Sequence, residues 1–489
     1  MRYASALAIC AVLGLAAAAP APSGSPYASI LRLEAQRSLG AGELAGYLAS
    51  SDTRLAARAA LAIGRTRLAA GAPLLAGHAL DARVPVRALS IYGLGLIGDP
   101  SDARLLFAAA RDAAGAVRIA GLDAIGRYET AHLFSAAAEY DAERSVVRGS
   151  RDADPLVRAR AVTELAAFNT GPYQFDASLA VVRSVEEDPD RGVRWHAMWT
   201  IFRAYATHVP RELLTRSLHD PDELVRIEAV RAYGRLKDPK AIAALRPLLD
   251  DPSWRVQDQA NESILILGGK PQSDHLTALL PDLHLPVVKA DPFAAIPALP
   301  RASAAGKPVA PTIDAAIQLP LLPETAAQML GPAPGPHPRV RIVTTKGDLY
   351  LTLYPEWAPL TVENFLDVAD RGYFDDDRWF RIVPDFVVQT GDPTDNGDGD
   401  AGYSIGAEEN PLEQTSYIVS MGMNYTDPPN AHAIRDSAGT QFYITLSPQL
   451  HLNRDFTVFG ALTSGSDVLA HLIESDRMIR VERLPDVTI

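Results

Sequence analysis

The stretch WFRIVPDFVVQTGDP, residues 379–393, sets a guanidinium and a carboxamide, Arg381 and Gln389, inside a run of residues that otherwise favour burial. Period-2 alternation places Phe380 and Ile382 on one face and Arg381 and Val383 on the other. The segment therefore reads as one strand, with an apolar face toward a core and a polar face toward a groove. Its neighbours have the same texture. RVRIVTTKGDLYLTLYP, from Arg339, alternates on both sides of Lys346-Gly347 and reads as a hairpin. APLTVENFLDVADRGYF, from Ala358, has Pro359 early and Gly372 late, and Val362, Phe365, Leu366 and Ala369 share one helical face. SAGTQFYITL and FTVFGAL read as further strands and SDVLAHLIESD as a closing helix. Many strands with two helices predict a closed β-barrel capped at its ends.

Six motifs recur here in one order: AP with TVENF, FRIVPDFVVQTGDPT, GDGDAGYSI, SMG at Ser420, SAGTQFYI, and HLNRDFTVFG. Together they resemble the cyclophilins, the peptidyl-prolyl cis/trans isomerases, from Val340 to the C-terminus. The resemblance implies Arg381 as the catalytic arginine, with Phe386 and Gln389 beside it. It implies Val387, Tyr443 and Leu452, with Phe386, as walls of a proline pocket. Gln441 and Gln389 would position the peptide backbone, Gly422 and Met423 would pair with it, and His451 and Phe456 would form the rim. The implied chemistry needs no cofactor and no metal. The sequence departs from the family pattern at Phe380, where a His is usual, and at Val387, His451 and Phe456. The stretch Met423–Asp436 is longer than the family's connection and reads as a specificity loop or a neutral insertion.

Asp392, Asp395, Asp398 and Asp400 suggest a calcium loop, but the closing Glu of an EF-hand is missing, and a glycine-rich turn with solvated acids is expected instead. His432 and His451 have no metal-ligand spacing with other candidate ligands.

Upstream the text repeats. Val-Arg pairs begin at Val86, Val117, Val157, Val193 and Val225, at intervals of 31, 40, 36 and 32 residues. Periods of this size mark a solenoid. In each unit Asp and Pro punctuate two helices, and residues such as Val225, Ile227, Val230 and Tyr233 share an apolar face. The units resemble short HEAT repeats, in which an Asp and an Arg of adjacent units form a ladder. Trp195, Trp199 and Trp254 are expected in the core. A solenoid also offers a long surface to a protein partner.

The expected organisation is a signal peptide over 1–21, HEAT-like repeats over 27–280, a linker over 281–337 and a cyclophilin-like domain over 338–489. Thirteen of the chain's 37 prolines lie between Pro281 and Pro338, which excludes a continuous helix or sheet there. Arg2, the apolar run that follows and small residues at Ala17–Ala19 have the pattern of a secretory leader, too short for a stable membrane span. Export to a periplasm or the cell exterior is expected, with membrane anchoring if the leader is retained. Cys10, the one cysteine, lies inside it, so the mature chain carries neither a disulfide nor a thiol nucleophile. At 489 residues two or three domains are expected. A net charge of −13 without clustered Lys and Arg excludes non-specific nucleic-acid binding. The leading expectation is an isomerase acting on X–Pro bonds of exported proteins, with the solenoid recruiting clients or a partner. The alternative is a proline-peptide-binding scaffold without turnover.

Overall fold

The computed structural model describes residues 25–170, 174–269, 337–383, 385–395, 397, 399, 402–425 and 433–487. The expected signal peptide, Cys10, nearly all of the expected linker, Asp398, Asp400 and His432 lie outside the described residues.

Residues 26–266 form a helical solenoid. The helices Thr53–Thr66, Val84–Ile97, Gly115–Thr130, Pro155–Glu164, Arg191–Thr200, Glu223–Arg235 and Trp254–Ile266 are the second helices of successive units. They stack closely where side chains are small: a Cβ on Gly64 would lie 2.4 Å from the Gly93 Cα. Each aspartate-rich turn divides two tasks. In DPDELVR, Asp222 caps the following helix, accepting from Leu224 N–H at 2.9 Å. Asp220 accepts from Arg194 of the preceding unit. The same ladder joins Arg87 to Asp112, Arg118 to Asp152, Arg158 to Asp188 and Arg226 to Asp251. Each of these arginines also donates to the carbonyl six residues before it, for example Arg158 to Asp152 O at 2.9 Å. The expected register ladder is therefore present. Trp195 and Trp199 are buried as expected, but Trp254, at the first position of the last described helix of the solenoid, is 40% exposed among the described residues.

Among the described residues the C-terminal domain has nine strands: β1 His337–Thr344, β2 Gly347–Leu353, β3 Asp377–Arg378, β4 Arg381–Val383, β5 Val387–Thr390, β6 Ile418–Met421, β7 Phe442–Thr445, β8 Val458–Ser464 and β9 Arg477–Val487. All pairings are antiparallel, in the order β3-β9-β1-β2-β8-β6-β7-β5-β4. The backbone ladder thus ends at β3 and β4 rather than closing as expected. Side chains link β3 to the end of β5, the neighbour of β4: Asp377 of β3 accepts from Gly391 N–H at 2.9 Å, and Thr390 donates to Arg378 O at 2.8 Å. The helix Pro359–Asp370 packs Val362, Phe365 and Leu366 against the sheet with Phe374, Phe442 and Phe459. The expected closing helix is one short segment, Ser466–Ala470, and the chain then turns into β9, a strand the apolar pattern did not signal because charged residues interrupt it.

The quoted stretch is not one strand but two. The chain reverses after Val383, with Asp385 at φ +53°, and β4 and β5 pair antiparallel with Arg381 opposite Gln389. Trp379, ahead of the hairpin, is fully buried in the sheet's core.

The sheet domain does not stand apart from the solenoid. Tyr354, Trp357, Leu412, Ile418, Leu450, Val458 and Ala461 belong to the same continuous apolar core as the helical repeats. Around that core run ion pairs between the second helices and the sheet domain. Arg65, wholly buried, donates to Glu34 and to the carbonyls of Trp357 and Glu409. Arg160 and His196 meet Glu413 at 3.0 and 3.1 Å. Arg454 meets Asp123 and Glu164, and Arg255 donates to Ser416 at 2.9 Å. Burial opposes ionisation of Glu34 and Glu413, yet the facing cations outweigh it and hold both carboxyls at about 2. The second helices of the solenoid thus face the chain's own sheet domain.

Candidate functional site

The β4–β5 hairpin, β7 and the short helical turn Leu450–Leu452 bring a second, smaller apolar cluster together. Val387, Tyr443, Leu452 and Phe456 form one apolar cluster, with Phe386, Met423 and Ala433 packed against it. Tyr443 and Phe456 meet edge to face with centroids 5.8 Å apart, and His451 stacks on Phe386 at 5.9 Å. This brings together the expected pocket walls and both expected rim residues.

Arg381 is exposed on the pocket's edge, its guanidinium carbon 5.3 Å from the Phe386 ring centroid. Its orientation is set by a chain of amides. Gln441 donates from Nε2 to the carbonyls of Gly397 and Gly399 at 3.0 and 2.8 Å. Its carbonyl oxygen therefore faces Gln389, which donates to it at 3.1 Å. The Gln389 oxygen in turn accepts from Arg381 Nη1 at 3.1 Å. Since carbonyl oxygens only accept, the glycine turn fixes the polarity of each amide and so the position of the guanidinium.

The turn GDPTDNGDGD serves this chain of contacts. Asp392 is buried, and although burial raises a carboxyl, the donors of Thr394 and the Gly397 N–H hold it below its ordinary value. Asp395 pairs with Arg378 at 3.4 Å. Among the described residues no group of His, Cys, Asp and Glu is arranged to hold a metal. Gly391, at φ +88°, lets the strand pass where a Cβ would meet Thr440 O at 2.3 Å.

Gly422 donates its N–H to Gln441 O at 2.8 Å, so that group is engaged within the sheet. Met423 bridges the main core and the pocket cluster. The long connection after it forms a β-bridge between Tyr425 and Ala433, and Tyr425 faces Phe456 at 6.2 Å. Arg435 from this connection donates to Glu409 and to Arg65 O, and Asp436 pairs with Arg37, so its base is tied to the solenoid.

Sequence reasoning missed the solenoid's share of the site. Arg231 donates to the carbonyl of Asp385, to its carboxylate and to Ser447, and so holds the turn that presents Phe386. Burial, then the charges of Arg203 and Arg231, push the His451 imidazole down to about 4 and keep it neutral. The Val-Arg repeat marks the ladder arginines, whereas Arg231 lies one and a half turns further along its helix, where no repeat signal falls.

Residues 339–489 match the model of the cyclophilin type peptidyl-prolyl cis-trans isomerase family, and residues 210–296 match that of HEAT repeats. Peptidyl-prolyl cis-trans isomerase B of Bacillus subtilis is 40% identical over 132 residues, 27% of this chain and 87% of that protein. Peptidyl-prolyl cis-trans isomerase CYP18-2 of Arabidopsis thaliana is 36% identical over 138 residues, 28% of this chain and 82% of that protein. A crystal structure of a cyclophilin type isomerase from Cryptosporidium parvum aligns with a TM-score of 0.28 at 27% identity, covering 30% of this chain and 98% of that one. With its helical repeats ahead of it, the C-terminal sheet domain places this chain in the family of cyclophilin-type peptidyl-prolyl cis-trans isomerases.

Proposed function

We propose that the chain isomerises X–Pro bonds of exported proteins, with Arg381 as the catalytic residue and the solenoid holding clients beside it. The observation that carries the reading is the oriented Arg381 guanidinium at the edge of the Phe386, Val387, Tyr443, Leu452 and Phe456 pocket. Amide rotation faces a barrier of about 18–20 kcal/mol because the planar bond has double-bond character. Twisting localises a lone pair on the prolyl nitrogen, and a fixed N–H donor binds that nitrogen better than the planar one. Only such differential binding accelerates the step, tenfold for each ~1.36 kcal/mol. The apolar pocket immobilises the ring while Gln389 and Gln441 orient the peptide backbone. His451, held neutral, adds no charge at the rim.

The test is isomerisation of a proline tetrapeptide by the full chain. Arg381→Ala is expected to lower kcat/KM by roughly 100-fold, the scale of losing an electrostatic donor to the transition state, with the thermal midpoint unchanged. Equal turnover by wild type and variant, or none by either, overturns the assignment and leaves the proline-peptide-binding scaffold. Export rests on the leader-like residues 1–21, and fractionation of cells expressing the tagged chain tests it: recovery in the cytosol rejects it.

A further inference from the structure

The solenoid packs against the turn that presents Phe386, through Arg231. After Thr200 the helix widens into a π turn over Ile201–Tyr205, which carries Phe202 and Arg203. Such turns are rare and occur mostly at functional sites. Three guanidinium groups surround the Phe202 ring, those of Arg235, Arg231 and Arg203, at 5.0, 5.7 and 5.9 Å from its centroid. Their charges are not equally matched. Arg231 is compensated by Glu228 and Asp385. Arg203 and Arg235 are exposed, and among the described residues neither has a carboxylate at ion-pair distance. The ladder arginines of the same solenoid are each matched by an aspartate.

This unmatched pair lies beside the isomerase rim. Arg231, which shares the Phe202 ring with them, is bonded to Asp385, the residue before Phe386, and His451 stacks on Phe386. The field of Arg203 reaches the His451 ring. Guanidinium groups crowded on one ring repel one another, and an incoming anion relieves that repulsion.

We propose that Arg203 and Arg235 form a subsite for an acidic side chain of the substrate, so that the chain prefers prolines followed or preceded within a few residues by Asp or Glu. This rests on the apolar cluster beside Arg381 being the substrate site. The solenoid then acts as a specificity wall of the enzyme itself. An extended peptide advances about 3.4 Å per residue, so side chains two to four residues from the proline sample roughly 7–14 Å from it.

The experiment measures kcat/KM of the full chain on matched peptides carrying one Glu or one Gln at two, three or four residues from the proline, on each side. At one position the Glu peptide is expected to exceed the Gln peptide by roughly fivefold at low salt, with the ratio falling as ionic strength rises. In the double variant Arg203→Gln with Arg235→Gln the ratio should approach one, and in Arg235→Lys it should be largely retained. A wild-type ratio near one at every position, or a ratio that survives the double variant, overturns the subsite. If the double variant loses thermal stability, Arg235→Gln alone is read against the same criterion. If wild type turns over none of the peptides, the isomerase reading fails instead, and calorimetric binding of the same pairs still decides the subsite: equal affinities reject it.

Discussion

At the scale of single residues, the site depends on the direction in which two amides point. Gln441 can present its oxygen to Gln389 only because its nitrogen is taken by the carbonyls of Gly397 and Gly399. Gln441→Leu removes both that donor and the oxygen that accepts from Gln389, so Gln389 is released and Arg381 loses its fixed partner. The expected outcome is a fall of roughly tenfold in kcat/KM, equivalent to about 1.4 kcal/mol of transition-state stabilisation, with little change in KM. Arg381, Phe386 and Gln389 were legible because they lie within eleven residues and carry the family motif. The service of the glycine turn was not, since GDPTDNGDGD reads as a solvated acidic loop until Gln441, from β7's approach, is placed over it.

At the scale of elements, the β4–β5 hairpin and the aspartate–arginine ladder show opposite degrees of legibility. An apolar run hid the reversal at Asp385, although Pro-Asp is a turn signal, because burial on both sides of the turn removes the usual polar punctuation. The reversal matters chemically: it sets Arg381 opposite Gln389, which one continuous strand could not do. The ladder was readable because its period repeats in the text. Its links are half-buried and bidentate, as in Arg158 Nε and Nη2 with Asp188 at 2.7 and 2.9 Å. Arg158→Ala leaves Asp188 without its cation and also frees the Asp152 carbonyl. A loss of about 2 kcal/mol is expected in chemical unfolding, the scale of charged hydrogen bonds.

At the scale of the whole molecule, the two domains share one core, and the junction is ionic as well as apolar. A fragment of residues 337–489 would expose Trp357, Leu412 and Ile418, and would strand Glu413 without Arg160 and Arg454 without Asp123 and Glu164. Expressed alone it is expected to aggregate or to melt well below the full chain, as read by sedimentation and differential scanning calorimetry. The junction also carries a pH signature. Glu228 is wholly buried, and burial together with the Asp385 charge raises its carboxyl to about 7 despite the nearby Arg231. A carboxyl raised on folding binds its proton more tightly in the folded state, so stability falls as pH rises from the ordinary carboxylate value through about 7. The contributions of Glu34 and Glu413, held at about 2, are constant above pH 5 and fade only in stronger acid. Glu228→Gln should therefore stabilise the chain by about 2 kcal/mol at pH 8 and by little at pH 5. An equal shift in thermal midpoint at both pH values would contradict this account.

The sequence by itself determined what is local or periodic: the repeat and its ladder, the family motifs and most strands. These follow from spacing along the chain, where hydrophobic period and turn chemistry act over a few residues. Tertiary structure alone decided that the solenoid holds the isomerase domain, and that Arg231 steadies the turn before Phe386 from 154 residues away. It also set Arg203 and Arg235 beside the rim. Pairing between distant charges depends on which surfaces meet, and no single-chain pattern records a contact made only once.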